Sequence, residues 1–127
     1  MRGRKISSTK ELIEYLNYDM ANLQVEVFKI IFLDTQNVFI NEKTIVVGTI
    51  DKSYIYPREL LKEIFEHNAK SVIFAHNHPS GNLNPSKADI NFTNSMRNLL
   101  KELEINLLDH VIIGTSGYYS FLEENLL

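Results

Sequence analysis

The chain contains no cysteine among its 127 residues. This absence excludes disulfide bonds, thiolate zinc clusters and cysteine nucleophiles, so any bound metal must be held by histidine and carboxylate side chains. The chain also lacks any run approaching the roughly 18 apolar residues of a membrane helix, and its basic start over residues 1–8 is not followed by the apolar stretch of a signal peptide. We therefore expect a cytoplasmic protein with no membrane partner.

Basic residues are scarce as well. The 13 lysines and arginines are outnumbered by 16 aspartates and glutamates, which gives a formal net charge of -3. Binding of nucleic acid without sequence preference depends on clustered positive charge. The charge therefore does not support nucleic acid as a partner, and nothing in the sequence indicates an oligomeric state.

The length fits one domain with a single buried core, and we expect residues 1–127 to form it, with residues 1–7 as a flexible tail. Apolar patterns, turn residues and helix caps predict the elements in order: a helix over 8–21, strands over 25–33, 38–40 and 43–50, a helix over 57–68, a strand over 71–75, a helix over 87–103, and strands over 107–114 and 118–121. This order indicates a mixed sheet flanked by helices, an α/β (α+β) fold.

Two of these elements carry finer expectations. The second and third strands, interrupted near Asn41 and Glu42, should close an antiparallel hairpin or meander with the first strand. The second helix should present one buried stripe, formed by Leu60, Leu61, Ile64 and Phe65.

A histidine pair follows the apolar strand over 71–75. Because side chains alternate along an extended segment, His76 and His78 face the same side. After a loop rich in proline and glycine, Ser86 can cap a helix that carries Asp89 in its first turn. Two histidines and one aspartate give three nitrogen or oxygen ligands and leave a fourth position for water, which is the pattern of a catalytic zinc site.

Hydrolysis at such a site needs a general base, for which Glu26 is the candidate. It stands at the head of an apolar strand face, where an acid needs either exposure or a function. Ser86 could donate its hydroxyl to a developing oxyanion. Each piece also has a purely structural explanation: Ser86 and Asp89 have the spacing of a helix cap, and Glu26 could be a solvated strand end. The combination favours a site, because this spacing should arise by chance in about one of a few thousand such chains.

The spacing His-x-His, seven residues, Ser-x-x-Asp over 76–89 matches the JAMM (also called MPN+) metalloprotease motif. The flanking sequence resembles the C-terminal domain of RadC family proteins in His-Asn-His-Pro-Ser-Gly, Pro85, Gly48-Thr49, Pro57-Arg58-Glu59, Asn68-Ala69 and Leu108-Asp109-His110. The resemblance covers nearly the whole chain from about residue 20. It implies the JAMM/MPN fold, a mixed sheet between helices in the cytidine-deaminase-like class.

The resemblance also implies a zinc-dependent metallopeptidase-like hydrolase, in which metal-activated water attacks a peptide or isopeptide carbonyl. One Zn²⁺ per chain would be held by His76, His78 and Asp89. Glu26 would hold the water and shuttle its proton, and Ser86 would steady the tetrahedral intermediate. Glu42 is the alternative base, because nothing but strand position links either glutamate to the metal.

Three further residues could support the site. We expect Asn77 to pin the loop after the histidines by hydrogen bonds and Ser80 to shape that loop, unless both serve only the turn. His110 lies in an apolar run over 107–113, where a core histidine with satisfied hydrogen bonds is the ordinary explanation. The alternative is that it orients a ligand or faces the substrate.

Two other functions compete with hydrolysis of a peptide or protein substrate. A DNA-repair-associated protein or metal-dependent nuclease accessory would need phosphate-binding residues near the site, where Lys87 is the only basic residue within 76–89. A non-catalytic interaction domain would have lost the chemistry, yet all four motif positions are present. A nucleobase deaminase is excluded, since its signature needs a glutamate two residues after the first histidine and a pair of cysteines.

Overall fold

The computed structural model describes residues 2–48 and 55–127. Over these residues the chain forms the elements α1 (Thr9–Met20), β1 (Val27–Leu33), β2 (Phe39–Val47), α2 (Pro57–Glu66), β3 (Ser71–Asn77), α3 (Lys87–Glu102), β4 (Asn106–Gly114) and β5 (Gly117–Ser120). The strands form one sheet in the order β2-β1-β3-β4-β5. β3 and β4 are parallel, and the other neighbouring pairs are antiparallel. The predicted mixed sheet with helices is confirmed. Among the described residues, no helix has the length and apolar character needed to cross a membrane.

The side chains of β1 alternate between two apolar layers, as the period of a strand requires. Phe28, Ile30 and Phe32 pack with residues of α2 and α3 on one face of the sheet. Val27 and Ile31 pack with residues of α1 on the other face. β1 and β3 are consequently buried along their whole length. The same alternation along β3 directs every second side chain toward the face that α3 covers.

The parallel pairing of β3 and β4 requires the chain to cross one face of the sheet, and α3 makes this crossing. The helix begins with a capping box in which Ser86 Oγ accepts from the Asp89 amide at 3.0 Å and the Asp89 carboxylate accepts from the Ser86 amide at 2.9 Å. These two bonds satisfy amide groups that the helix itself leaves unpaired. The loop over 78–86 therefore runs between a fixed strand end and a fixed helix start.

The predicted interruption of the second strand is wrong. Residues on both sides of Asn41 and Glu42 form the single strand β2, which runs through this polar pair. β2 lies at an edge of the sheet, where polar side chains remain partly solvated and do not end a strand. Two register shifts in its pairing with β1 absorb the irregular pattern. Residues 49 and 50, which the sequence also assigned to a strand, lie outside the described residues.

The predicted buried stripe of α2 is confirmed except at its last position. Leu60 and Ile64 are buried and Leu61 packs against the same core cluster, but Phe65 is 55% exposed. Leu60 and Ile64 are about one turn apart, whereas Phe65 is rotated by about 100° from Ile64 around the helix axis. That rotation carries its ring to the solvent side.

The segment predicted as a flexible tail over 1–7 is attached to the sheet in its described part. The Gly3 amide donates to the Phe39 carbonyl at 2.9 Å, and the Phe39 amide donates to the Arg4 carbonyl at 2.8 Å. A further bridge joins Lys5 to Val38. These bonds hold the segment beside the start of β2.

Candidate metal centre

Two histidines at the end of β3 direct their imidazoles to one point. His76 lies in the strand and is almost fully buried, and His78 follows the strand and is half-buried. Their Nε2 atoms are 2.9 Å apart, and their ring centroids are 4.7 Å apart. This approach agrees with the expectation that both side chains face one side of an extended segment.

Asp89 brings a carboxylate to the same point from the first turn of α3. The residue is buried, and its Oδ2 atom lies 3.8 Å from Nε2 of His76. One ligand atom from each of Asp89, His76 and His78 lies within 4.8 Å of the other two. The three residues predicted as ligands are therefore brought together as a group that can hold a metal ion.

The second ring nitrogen of His78 is already committed. Its Nδ1 atom lies 2.5 Å from the backbone oxygen of Asn82, and a carbonyl oxygen can only accept. The hydrogen of His78 is therefore on Nδ1, and the Nε2 electron pair faces His76 and Asp89. Such a bond fixes the tautomer and the ring orientation of histidines that bind metals. Sequence reasoning missed Asn82, because a backbone acceptor leaves no signal in residue identity.

His76 has a corresponding partner in His110. Nδ1 of His76 lies 2.8 Å from Nε2 of His110, and Nδ1 of His110 lies 2.7 Å from Oγ1 of Thr93. When His76 offers Nε2 to a metal, its Nδ1 carries the hydrogen and donates to His110, which in turn donates to Thr93. Sequence reasoning missed Thr93, although its spacing of four residues from Asp89 places both on one side of α3.

His110 combines the two explanations that its sequence context left open. It is fully buried and stacks on Phe121, with ring centroids 4.6 Å apart. It is a core histidine with satisfied hydrogen bonds, and one of those bonds is to His76. Because it does not line the cavity at the site, it is not placed to face a substrate.

Asp109 fixes the backbone beside His110. Its carboxylate accepts from the His110 amide at 2.7 Å, from the Ser120 hydroxyl at 2.6 Å and from the Leu122 amide at 3.0 Å. Burial raises the pKa of the Asp109 carboxyl above its ordinary value, although these hydrogen bonds oppose the increase. The buried carboxylate ties the end of β5 to β4.

A cavity of about 410 Å³ opens at the ligand group, lined by Glu26, His76, His78, Ser80, Asn82, Asn84, Pro85, Ser86 and Asp89. Glu26 directly precedes β1. In the antiparallel pairing of β1 with β3, Phe28 lies opposite His76, so the same register continued by two residues on each strand places Glu26 opposite His78. The predicted acid therefore shares the cavity with the ligands.

Glu42, the alternative acid, lies elsewhere. It pairs with Ile31 in the sheet, and its carboxylate is 3.4 Å from the ammonium of Lys29. Lys29 alternates with Phe28 along β1 and also contacts Asp19 of α1, so this group of charges lies on the opposite face of the sheet. Glu42 is not among the described residues that line the cavity.

Two serines line the same cavity. Oγ of Ser86 accepts from the Asp89 amide, which leaves its hydroxyl hydrogen free to donate. Oγ of Ser80 accepts from the Asn82 amide at 3.4 Å, and the Gly81 amide closes the turn on the carbonyl of His78 at 2.9 Å. Gly81 has φ +86°, a conformation that other residues rarely adopt. Ser80 therefore takes part in the hydrogen bonds that shape the loop.

The expectation for Asn77 is wrong in its target. Its Oδ1 atom accepts from the Val27 amide at 2.7 Å, and its Nδ2 atom donates to the Val25 carbonyl at 2.9 Å. Because Asn77 faces away from the two histidines, its amide meets the chain entering β1 instead of the loop that follows β3. The two bonds hold the residues on either side of Glu26.

The chain matches known proteins over nearly its whole length. Residues 6–126 match the family model described as RadC-like JAB domain. The chain is 41% identical over 125 residues to the UPF0758 protein YkfG of Escherichia coli K12, covering 98% of this chain and 79% of the relative. It is 44% identical over 123 residues to the UPF0758 protein FN0909 of Fusobacterium nucleatum, covering 97% of this chain.

The chain spans about half the length of the Fusobacterium relative, 53%. The names of these relatives assign them no activity. The family model nonetheless extends over nearly all of the chain, including the ligand group and the strand that Glu26 precedes. The chain therefore belongs to the RadC family, as a RadC-like JAB domain.

Proposed function

We propose that the domain is a zinc-dependent metallopeptidase-like hydrolase that cleaves a peptide or isopeptide bond in the cavity at His76, His78 and Asp89. The convergence of these ligand atoms carries the proposal. With the His78 hydrogen committed to Asn82, the electron pair of His78 Nε2 faces His76. Either a hydrogen on His76 Nε2 or a cation can lie between the two nitrogens, and the buried carboxylate of Asp89 beside them favours a cation.

Zinc fits this donor set. Its bonds of about 2.0–2.1 Å to nitrogen or oxygen place the ligand atoms of a tetrahedral site about 3.3 Å apart. The 2.9 Å between the histidine nitrogens and the 3.8 Å between His76 and Asp89 lie on either side of that value. Three protein ligands leave one position open toward the cavity. A zinc ion held there would supply a bound water with a pKa of about 7 and would polarise a carbonyl oxygen.

The chain itself supplies the remaining groups. Glu26, which lines the same cavity as the ligands, accepts a proton from the attacking water and delivers it to the leaving amine. Ser86 uses one electron pair to cap α3 and donates its hydroxyl hydrogen to the carbonyl oxygen as that oxygen gains charge.

The charges around the cavity favour a peptide over a nucleic acid. Among the described residues that line it are two carboxylates and neither lysine nor arginine, so no basic side chain is present to hold the flanking phosphates of a nucleic acid. A second cavity of about 390 Å³ shares Glu26 and Ser80 with the first and extends to Gly48. The two neighbouring cavities support a substrate that extends past Glu26.

A metal analysis followed by cleavage screens on peptide and DNA libraries tests the proposal. We expect about one zinc per chain and peptide cleavage that a chelator abolishes and added zinc restores. Glu26→Gln should retain the zinc and lose at least about 100-fold in kcat, since general acid–base catalysis contributes that much. DNA cleavage without peptide cleavage, or a protein that takes up no zinc, would contradict the proposal.

A further inference from the structure

We propose that Asn77 is a positioning residue that fixes the backbone on both sides of Glu26 and thereby sets where the Glu26 carboxylate stands relative to the metal ligands. This inference rests on the proposed function, in which Glu26 is the base. In this role, the residue between the two histidines helps to place the Glu26 carboxylate.

The geometry of the side chain supports this role. Asn77 is 2% exposed, and its amide makes one bond on each side of Glu26 along the chain, to the Val27 amide at 2.7 Å and to the Val25 carbonyl at 2.9 Å. The last paired residues of β1 and β3 are Phe28 and His76. One step beyond that pair, the Asn77 side chain takes the place of the backbone bonds that a longer strand would have made.

The chain around Glu26 is also held from the side of β2, where Val27 pairs with Val47. The Glu26 carbonyl accepts from the Gly48 amide at 2.8 Å, on the side of β2. Val25 is 48% exposed, so burial contributes little to holding it. Without the Asn77 amide, the residues on either side of Glu26 would lose their two hydrogen bonds to β3. The segment that carries the Glu26 carboxylate would then become freer to move.

Asparagine is well matched to this task. One side-chain oxygen must accept and one nitrogen must donate, and an amide provides both without charge. An aspartate at position 77 would still accept from the Val27 amide, but its second oxygen would face the Val25 carbonyl, which can only accept. The segment His76–His78 thus supplies two ligands through its histidines and holds the backbone beside the base through Asn77.

The test combines Asn77→Ala and Asn77→Asp with a matched control, Asp34→Ala. Asp34 also makes two side-chain bonds to backbone amides, of Gln36 and Val38, but at the opposite end of β1. We expect both Asn77 variants to retain zinc affinity within about threefold, because no ligand is altered. Amide exchange at Val27, measured by NMR on the zinc-loaded protein, should accelerate at least about tenfold in Asn77→Ala. The control should leave exchange at Val27 unchanged.

Two further readouts separate positioning from general stability. The ¹³C resonance of the Glu26 carboxyl should shift in both Asn77 variants and remain unchanged in Asp34→Ala. With a cleavable peptide, kcat should fall about 10- to 100-fold with KM within threefold. In a Glu26→Gln background, Asn77→Ala should lower kcat no further.

The outcomes distinguish the two proposals. Absence of peptide cleavage by the unsubstituted protein would overturn the proposed function. In that case, amide exchange at Val27 and the ¹³C resonance of the Glu26 carboxyl would still decide whether Asn77 holds Glu26 in place. An unchanged Glu26 resonance in Asn77→Ala, or an undiminished effect of that substitution in the Glu26→Gln background, would overturn the positioning role. If Asn77→Ala does not fold, Asn77→Asp decides, because it keeps the bond to the Val27 amide and loses the bond to the Val25 carbonyl.

Discussion

The Nδ1 atom of His76 lies 2.8 Å from the Nε2 atom of His110, inside the core between the sheet and α3. This contact determines which ring nitrogen His76 can offer to a ligand. With Nδ1–H donated to His110, the Nε2 electron pair of His76 is available to a metal held with His78 and Asp89. A histidine without such a partner must give up ring rotation and a choice of tautomer when it binds an ion.

Replacing His110 with phenylalanine should weaken zinc binding. The new ring keeps the aromatic contact with Phe121 but removes the acceptor for His76. We expect the zinc affinity to fall about 10- to 100-fold, measured by competition with a chelating dye. Thr93→Val, which acts one bond further away, should lower it less. Equal affinities in His110→Phe and the unsubstituted protein would show that the contact does not orient the ligand.

Substitutions of Ser86 should separate its two roles. Ser86→Ala removes the cap of α3 and should lower the free energy of unfolding of the zinc-free protein by about 1 kcal/mol, measured with denaturant. Ser86→Gly should cost only a few tenths of a kcal/mol, because glycine is tolerated at this position. Both variants lack the hydroxyl, so both should lower kcat to a similar extent. A normal kcat in Ser86→Gly would remove Ser86 from the chemistry.

The stability of the protein should carry a pH dependence from Asp109. Its folded pKa is raised by burial above the ordinary 3.8, so the folded state favours the protonated acid. The stabilisation is fully present below pH 3.8 and is lost as the pH rises through the folded pKa. The free energy of unfolding of the protein minus that of Asp109→Asn should therefore decrease from pH 4 toward neutrality, as denaturant titrations can show. A difference that increases with pH would mean that the hydrogen bonds outweigh burial.

Glu42→Gln should leave peptide cleavage intact. The side chain lies on the face of the sheet opposite the cavity and contacts Lys29, which also contacts Asp19. We expect kcat to remain within about twofold and the free energy of unfolding to fall by less than about 1 kcal/mol. Kinetic assays beside Glu26→Gln provide the comparison. A loss of cleavage in Glu42→Gln that matches the loss in Glu26→Gln would contradict the assignment of the base.

Local patterns were sufficient to predict most elements and the ligand group. The alternation of side chains along a strand places His76 and His78 together. The capping box of α3 joins Ser86 to Asp89, three residues later. Both relationships depend on residues close in sequence. Glu26 could be named as a candidate from the apolar face that follows it, but its position at the cavity depends on the pairing of β1 with β3.

Relationships that depend on distant pairing could not be predicted. The bonds from Asn77 to the chain around Glu26 join residues 50 and 52 positions apart, and their existence depends on where the β1–β3 ladder ends. Thr93 and His110 meet only because α3 crosses the sheet face on which His110 stands. The continuity of β2 through Asn41 could not be predicted for a similar reason, because it depends on the place of β2 in the sheet. A polar pair ends an inner strand but is tolerated at a sheet edge.

The crossing of α3 over the sheet has a consequence for how the domain can diversify. The loop over 78–86 joins a strand end to a helix start and lies outside every strand pair of the described sheet. Within it, Asn84 and Pro85 line the cavity without belonging to the ligand group, so substitutions there can change the cavity wall without shifting the register of any strand. Exchanging these two residues between relatives is a direct route to altered selectivity that retains His76, His78 and Asp89.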